Sequence, residues 1–388
     1  MPLLKSFFGQ LRSTIFHISE GGFPVLFEKL KKIPFRFFLF TLDVLLLPIS
    51  IPVIILIRLI KPFYHIHLGY FYGGRIGHFV LDTVMAAIAI SKKPGHLYLF
   101  YFLPNIANKQ WAKMVKRELK VYFFVRFLSF ANLIIPGGKI HSFVPGLDQD
   151  YGSRDLDGSI YHSKLQFKFT DNEVKVVKKW LKEKGWKEGE KIICVHARDN
   201  AYLPSNNWSY HDFRNSDINT FIPAMELLAN KGYWVIRMGK TMNKPITITH
   251  KKIIDFAFDN YKSDLIDVWL FANCSLCLTT ASGPDVISLA YRVPSLHINS
   301  LPLTHIESFS NVMHAPKKLY WRNTNQLLSF SEYCEHDYSY SERYQNAGIE
   351  IVDLSPNEIL ASTLEKIELI EGKNIQSSND KILQSAFW

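Results

Sequence analysis

The sequence predicts an α/β protein with two Rossmann-like domains that face a cleft, preceded by a hydrophobic N-terminal segment associated with a membrane. Three observations support this fold class. Strands and helices alternate from residue 62 onward, which is the pattern of a parallel sheet covered by helices. Polar clusters follow several of the strands, at the edge where open parallel sheets bind ligands. The apolar run 37–57 contains a single charged residue.

Four parts are predicted along the chain: a membrane-associated segment (1–61), a first α/β domain (62–165), a second α/β domain (166–354), and a C-terminal helix with a tail (355–388). The full length of 388 residues is enough for two cores and an additional segment. Residues 137–165 are rich in Gly, Asp, Ser and Pro, which favours a linker between the domains.

The composition excludes two broad classes of protein. Hydrophobic residues make up 47% and charged residues 21%, so the chain is neither disordered nor a polytopic membrane protein. A net charge of +10 suits an anionic membrane surface or phosphorylated substrates. The cations form no continuous stripe and no nucleic-acid motif is present, so we expect no nucleic-acid partner.

Four cysteines are present, and Cys274 and Cys277 have the CxxC spacing that zinc and redox sites use. No second CxxC accompanies them, and Cys277 lies in an apolar strand. Buried, reduced thiols are therefore the favoured interpretation, which agrees with a reducing cytoplasm.

The apolar run near the N-terminus has three features that disfavour a simple membrane span. Asp43 would cost about 2.5–3.5 kcal/mol at the centre of a bilayer. Pro48 and Pro52 are expected to break a helix, and cations flank both ends of the run. We favour a re-entrant or interfacial anchor on an anionic membrane surface over a true span or a soluble core hairpin.

The first α/β unit is a strand at 66–71, a glycine-rich loop and a helix at 79–91. The loop does not match GxGxxG, and no acidic residue ends the second strand, 97–102, so a dinucleotide site is not expected. Gly74, Arg75 and Gly77 would instead let the backbone approach an acceptor or a phosphate. The alternative is that the glycines only form a tight turn.

Helix caps define several later elements. Thr170 and Glu173 form a predicted capping box, and Ser263 caps a predicted helix at 264–273. Ser355 opens a predicted helix at 356–371, and the residues after 372 are expected to form a loose tail.

Polar clusters follow two buried strands of the second domain. His196, Arg198 and Asp199 come after the strand at 192–195, and we expect the first two to face the cleft. Arg237 and Lys240 end the strand at 233–238, where a guanidinium fork and an ammonium could neutralise a phosphate leaving group. The alternative is a solvated strand end.

A third cluster, Ser282-Gly283-Pro284, lies between a strand and a helix. Gly283 allows close approach of a ligand, and Pro284 is preset for a first helical turn. The amides that follow, together with the Ser282 hydroxyl, are predicted to hold phosphate oxygens. An ordinary helix cap is the alternative.

A polar, aromatic loop, 200–214, follows the first of these clusters, and its length is typical of a functional segment. The predicted ligand contacts in this loop are Tyr202, Tyr210, His211, Asp212 and Arg214.

If a group is transferred from a phosphate leaving group to an acceptor, a base is needed to take the proton of the attacking acceptor group. His78, Asp82 and Asp199 are the candidates, and the sequence does not decide among them. We expect neither a catalytic metal nor a cofactor.

Several stretches, in order, resemble a family of bacterial glycosyltransferases from surface-polysaccharide gene clusters: GGRIGHFVLDT, VHARDNAYL, SYHDFRNSDINTF, YWVIRMGK, the helix at 264–274 and TTASGP. The resemblance covers residues 62–325 and implies a GT-B-like fold that transfers a sugar from a nucleotide-sugar donor. It implies that the donor lies mainly on the second domain, with His196, Arg198, Asp199, Arg237, Lys240, Ser282 and Gly283 as site residues. A lipid-linked or glycan acceptor at the cytoplasmic face of the bacterial inner membrane is the accompanying expectation.

Two alternatives remain open. The same clusters could serve pyruvyl or phosphoryl transfer to a glycan, or the chain could be a non-catalytic membrane scaffold.

Overall fold

The computed structural model describes residues 33–145, 155, 157–163, 167–201, 209–303, 311–373 and 376–387. The side chains of Ser209, Tyr210 and Phe387 also lie outside this description.

Two apolar helices come first, α1 (Ile33–Leu45) and α2 (Leu47–Leu59), with a bend of 62° between them. Pro48 lies in the first turn of α2, where its missing N–H costs nothing. Pro52 lies inside α2 without ending it, so only the first of the two predicted proline breaks occurs. Among the described residues no single helix is both long and apolar enough to cross a membrane, although this bent pair together meets that criterion by length and composition.

Charged residues hold these two helices to the body of the protein. The Asp43 carboxylate is buried and accepts two hydrogen bonds from the Arg126 guanidinium, at 2.9 and 2.6 Å. Arg58 donates to the carbonyls of Asn132, Ile135 and Pro136, at the C-terminal end of the helix that carries Arg126. Two of the charges that disfavoured a simple span, Asp43 and Arg58, therefore have partners within the protein.

The N-terminal α/β unit contains β1 (His65–Phe71), α3 (Ile76–Ser91), β2 (His96–Phe102), α4 (Lys109–Glu118) and α5 (Val125–Ile134). β1 and β2 are parallel, with His65 opposite His96. Isolated bridges add Ser142 beside Leu68 and Val121 beside Phe100. A short 3₁₀ helix, Gly138–His141, precedes the first of these bridges, so this part of the predicted linker belongs to the N-terminal sheet.

The C-terminal sheet has six parallel strands in the order β5-β4-β3-β6-β7-β8. They are β3 (Ile192–His196), β4 (Trp234–Arg237), β5 (Ile253–Asp255), β6 (Leu276–Thr279), β7 (Ser295–Ser300) and β8 (Val312–Pro316). The intervening helices are α8 (Ile222–Asn230), α9 (Asp264–Asn273) and α10 (Val286–Ala290). Helices α6 (Ser159–His162) and α7 (Asp171–Glu183) precede the sheet, and the capping box of Thr170 and Glu173 is confirmed.

The strand order reverses between β3 and β6. The chain adds β4 and β5 on one side of β3 and then returns to add β6, β7 and β8 on the other. Such a switch point leaves a crevice outside the carboxyl ends of the two central strands. The predicted α/β class with parallel sheets is confirmed, and this crevice is where the fold positions a site.

The C-terminal part contains a small antiparallel sheet of β9 (Lys318–Trp321), β10 (Gln326–Leu327) and β11 (Ile349–Val352). Helices α11 (Phe330–Glu335), α12 (Ser341–Asn346) and α13 (Pro356–Ile370) accompany it. Residues Ser378–Phe387 form a further helix, α14. The predicted tail after residue 372 thus contains a helix, and the described side chains of this helix are exposed.

One apolar core joins the two α/β units. It includes Phe79 and Val84 of α3, Trp111 of α4, and Val268 and Phe271 of α9. Because α3 and α4 pack directly against the helices of the C-terminal sheet, the end of α3 is fixed against the switch point.

Candidate functional site

A crevice with a volume of about 540 Å³ lies at the switch point, between the N-terminal α/β unit and the carboxyl ends of the C-terminal strands. This volume is within the range of small-molecule sites. It brings together most of the polar residues predicted from sequence. Those that line it are Arg75, Gly77, His78, His196, Arg198, Asp199, His211, Arg214, Lys240, Ser282 and Gly283.

His196 and Arg198 follow β3 and line the crevice as predicted. Burial, together with the charges of Arg237 and Arg198, lowers the pKa of His196 to about 4, so the imidazole is neutral near pH 7. The backbone N–H of Arg198 donates to Thr280 Oγ1 at 2.9 Å, which joins the end of β3 to the loop after β6. Arg198 Nη1 donates to the carbonyl of His211 at 3.0 Å, so the guanidinium also supports the loop that follows.

Asp199 lines the crevice, but its carboxylate accepts hydrogen bonds from backbone N–H groups of two loops. One oxygen accepts from Ala201 N at 3.0 Å and the other accepts from Asn243 N at 2.8 Å. Both oxygens therefore hold the loops after β3 and β4, and this arrangement is less suited to a general base than the sequence suggested.

Arg237 does not line the crevice. Its side chain is fully buried, and Nη1 lies 3.0 Å from Asp255 Oδ1 on the neighbouring strand β5. Nη2 donates to the carbonyl of Lys244 at 3.2 Å, and the guanidinium lies 5.3 Å from the Phe258 ring. Arg237 therefore forms an ion pair within the protein and is not placed to make the predicted contact with a ligand phosphate.

Lys240 occupies the place expected of a phosphate ligand at the crevice. Its Nζ donates to the carbonyl of Ala107, in the loop after β2, and lies 3.5 Å from Asp264 Oδ1. The half-exposed ammonium thus connects the two α/β units at the rim.

The Ser282-Gly283-Pro284 turn lines the crevice, but its amides are largely used within the turn. The Ser282 N–H donates to Asp285 Oδ2 at 3.0 Å, and the Asp285 N–H donates to the Ser282 carbonyl at 3.3 Å. Pro284 has no N–H, and the following helix, α10, has only five residues. The prediction that the amides after Gly283 hold phosphate is therefore not supported by this arrangement.

The N-terminus of α3 supplies the amides that the turn lacks. The helix begins at Ile76 instead of the predicted residue 79, so Ile76, Gly77 and His78 form its first turn and line the crevice. The first N–H groups of a helix have no partner within the helix and attract anions. Because α3 has sixteen residues, its N-terminus carries the positive end of a full helix dipole.

Gly77 and Gly283 both line the crevice, and their backbones pack against each other. A Cβ at Gly77 would lie 3.0 Å from Gly283 Cα, and a Cβ at Gly283 would lie 3.1 Å from Gly77 N. Only glycine permits this backbone approach. Gly74 lies outside the crevice lining, and a Cβ there would meet the Tyr72 side chain.

Positive charge converges on one wall of the crevice. Burial lowers the pKa of His211 to about 4, and the charges of Arg214, Arg198 and Arg75 add to this effect. Burial also lowers the pKa of Arg214. The charge of Asp285 raises this pKa in part, and the charge of Arg75 lowers it further. Arginine stays charged in proteins, so three guanidinium groups surround one neutral imidazole.

The other predicted loop contacts lie elsewhere. Asp212 is exposed, accepts from Asn215 Nδ2 at 2.8 Å and does not line the crevice. Tyr202 lies outside the described residues, and Tyr210 is described only in its backbone.

His78 is the one base candidate with both an open position and a suitable charge state. It lines the crevice, and burial followed by the charge of Arg75 lowers the pKa of His78 below its usual 6.5. Asp82 is buried one turn further along α3 and does not line the crevice.

Three acid–base groups in the crevice were missed from sequence: Asp267, Asp285 and His297. Burial raises the pKa of Asp267 to about 7 and that of Asp285 to about 6. Asp285 Oδ2 accepts from Thr279 Oγ1 at 3.1 Å and lies 3.9 Å from His297 Nε2. Asp285 directly follows the predicted turn, and Asp267 interrupts the apolar helix α9, so both carried a signal in the sequence.

A separate cluster of histidines lies at the other end of the N-terminal sheet. His65, His67 and His96 each offer a ring nitrogen, and these nitrogens all lie within 4.8 Å of one another. Burial followed by the charge of His65 lowers the pKa of His67 to about 4. The two clusters are distinct because the strand β1 separates them.

Comparison with solved structures finds low-level similarities to bacterial glycosyltransferases. The E. coli ADP-heptose LPS heptosyltransferase II is 12% identical, with a TM-score of 0.44, over 78% of this chain and 99% of that one. A family 9 glycosyltransferase from Veillonella parvula is 10% identical, with a TM-score of 0.42, over 78% and 97%. The iron-containing dodecameric glycosyltransferase TibC from E. coli is 11% identical, with a TM-score of 0.39, over 79% and 77%.

Similarity at this level does not transfer the activity of these enzymes to the present chain. No family model and no curated protein matches the sequence.

Proposed function

We propose that this protein is a GT-B-like glycosyltransferase of the bacterial surface-polysaccharide type, and that the crevice binds the diphosphate of a nucleotide-sugar donor. One observation carries the proposal: fixed positive charge and the N-terminus of α3 meet at the topological switch point. Diphosphates are matched by such convergent cations and free amides. The donor thereby lies between the two α/β units instead of on the second alone.

The charge balance of the crevice favours an anionic ligand. Arg75, Arg198, Arg214 and Lys240 line it, against Asp199, Asp267 and Asp285. Asp199 accepts two backbone N–H groups, and burial raises the pKa values of the other two carboxyls. With a pKa of about 7, Asp267 is partly neutral near pH 7, so it presents less negative charge to a bound diphosphate than a formal count suggests. Asp285, with a pKa of about 6, is mostly ionised there.

The proposed reaction follows from this arrangement. An acceptor hydroxyl attacks the anomeric carbon of the donor sugar, and the bond between that carbon and the phosphate oxygen breaks. The nucleoside diphosphate leaves with the electron pair, and Lys240 and Arg214 stabilise its developing charge. His78 takes the proton of the acceptor hydroxyl. Neither a metal nor a cofactor is required by these steps.

Thermal unfolding in the presence of ADP-, UDP-, GDP- and CMP-sugars tests the proposal. A nucleoside diphosphate sugar that binds only the folded state stabilises it by about 2.7 kcal/mol at a hundredfold excess over Kd. We expect a higher Tm with at least one diphosphate donor and a smaller shift with a CMP-sugar, which carries one phosphate. Mass spectrometry of the product with an acceptor extract distinguishes sugar transfer from pyruvyl or phosphoryl transfer.

Arg214→Ala should abolish the Tm shift, because it removes a guanidinium from the crevice wall. Arg322→Ala is the matched control, since Arg322 is exposed and does not line the crevice. The absence of a shift with every donor, with or without Mg²⁺, would count against the proposal. An equal shift in both variants would remove Arg214 from the site.

We also propose that the enzyme works on a lipid-linked or glycan acceptor at the cytoplasmic face of the inner membrane, with α1 and α2 as an interfacial or re-entrant anchor. Large apolar side chains of α1, of α2 and the turn after it, and of the segment entering α5 are exposed, including Phe37, Leu59, Phe63, Phe123 and Phe124. Phe63 is 91% exposed and Phe123 is 61% exposed. An exposed apolar surface of this extent is typical of a protein or membrane contact, and the flanking cations suit anionic lipid.

Co-sedimentation with lipid vesicles tests the anchor. We expect the protein to pellet with vesicles that contain phosphatidylglycerol and to pellet less with phosphatidylcholine alone. A Phe123→Ser, Phe124→Ser variant should bind more weakly, because it removes two exposed aromatic rings. Tyr261→Ser is the control, since Tyr261 is 65% exposed on the C-terminal unit. Recovery of the unchanged protein in the supernatant with both vesicle types would refute the anchor.

A further inference from the structure

We propose that His65, His67 and His96 form a binding site for a divalent transition-metal ion of the zinc class, at the end of the N-terminal sheet remote from the crevice. The strand geometry places these side chains together. His65 and His67 are two residues apart on β1 and therefore project from the same face. His96 lies directly opposite His65 on β2.

The distances between the rings suit a common metal ion. The ring centroids of His65 and His67 are 4.1 Å apart, and that of His96 lies 5.1 and 5.2 Å from them. Zinc binds imidazole nitrogen at about 2.0–2.1 Å in a tetrahedral arrangement, which corresponds to roughly 3.4 Å between nitrogens. Because one nitrogen of each ring already lies within 4.8 Å of the others, small side-chain rotations would close the site.

Hydrogen bonds around the cluster resemble those that orient metal ligands. His65 Nε2 lies 2.9 Å from the carbonyl of Ile140 and donates its proton to it, which leaves Nδ1 with the lone pair. His67 Nε2 lies 3.0 Å from His96 Nδ1. His67 Nδ1 is buried and has no hydrogen-bond partner among the described residues. A buried polar atom of this kind needs a partner, and a metal ion bound after a rotation of the ring would supply one.

The position of the site indicates a structural role. β1 runs from His65 to Phe71, so the cluster lies on the order of 20 Å from the crevice. A metal ion there would join the first residues of β1 and β2. In the described part of the chain these two strands pair with each other, and two isolated bridges flank them. Such a contact would stabilise the N-terminal unit without taking part in sugar transfer.

Isothermal titration of the full-length, tag-free protein with Zn²⁺, after treatment with EDTA, tests the proposal. We expect one Zn²⁺ per chain and a higher Tm. His96→Ala and His67→Gln should each weaken binding by at least tenfold. His162→Ala should bind as the wild type does, because His162 is exposed and lies outside the cluster.

A stoichiometry of zero for the wild type would overturn the proposal, as would equal binding by His96→Ala. His96 is exposed, so its truncation should leave the fold intact, which circular dichroism can verify. The visible spectrum of the Co²⁺-loaded wild type gives an answer that needs no variant: bands of tetrahedral nitrogen ligation support the site, and the spectrum of hexaaqua Co²⁺ refutes it.

Discussion

Replacing His78 by asparagine is expected to lower kcat/KM for sugar transfer by about 10²–10⁴-fold, the usual contribution of a general base. The wild-type rate should fall as the pH drops below 6.5, because burial and Arg75 lower the pKa of His78 from that value. Above this range the imidazole is neutral and able to accept a proton. The measurement is the dependence of kcat/KM on pH, which reports groups of the free enzyme.

The asparagine variant should lose both the rate and the acidic limb of the profile. Asp82→Asn is the comparison, since Asp82 is buried in the same helix outside the crevice. An acidic limb near pH 7 that survives in His78→Asn would instead identify Asp267, whose pKa burial raises to about 7. That outcome would contradict the role assigned to His78.

Gly77→Val should reduce kcat/KM by on the order of a hundredfold, because a displacement of about 1 Å at a reacting centre has effects of that size. The added Cβ would lie 3.0 Å from Gly283 Cα and 3.3 Å from the Gly283 carbonyl oxygen. Both are backbone atoms that cannot rotate away, so the N-terminus of α3 has to move. Steady-state kinetics, with circular dichroism as a check on the fold, measure this effect.

Gly74→Ala is the matched control for the glycine pair. It lies in the same loop, but the atoms nearest to its added Cβ belong to the side chain of Tyr72, which is 44% exposed and can turn aside. We expect near wild-type kinetics. Overpacking at Gly77 would also lower the free energy of unfolding by about 1–3 kcal/mol. Full activity in Gly77→Val would show that the approach of α3 to the turn is not needed.

Local sequence patterns were sufficient for most of the C-terminal sheet. The buried strands β3, β4 and β6 appear in the sequence as short apolar runs, and the polar clusters lie at or directly after their ends. Helix α9 has the predicted bounds, and Ser263 caps it through Ile266 N. Caps and apolar runs depend on neighbours in the chain, so a single sequence contains the information for them.

The residues that the structure places differently from the prediction owe their positions to contacts with residues that are distant in sequence. Arg237 is buried because β4 pairs with β5 and brings Asp255 directly opposite, and strand pairing is not encoded in the alternation of either strand. Gly77 and His78 lie in the first turn of α3 because the helix starts at Ile76, before the predicted start at residue 79. The internal hydrogen bonds of the turn at Ser282 involve Asp285, which the pattern marked only as a helical residue.

The ion pair of Asp43 with Arg126 has a consequence for how the chain can be divided. A polypeptide starting at residue 62 would leave a guanidinium without its counterion and uncover the wall of Leu68, Tyr101 and Val125 that α2 shields. Removing one partner of a buried pair is strongly destabilising. The first helices are therefore an integral part of the folding unit, and the proposed lipid anchor and the proposed active site share one scaffold.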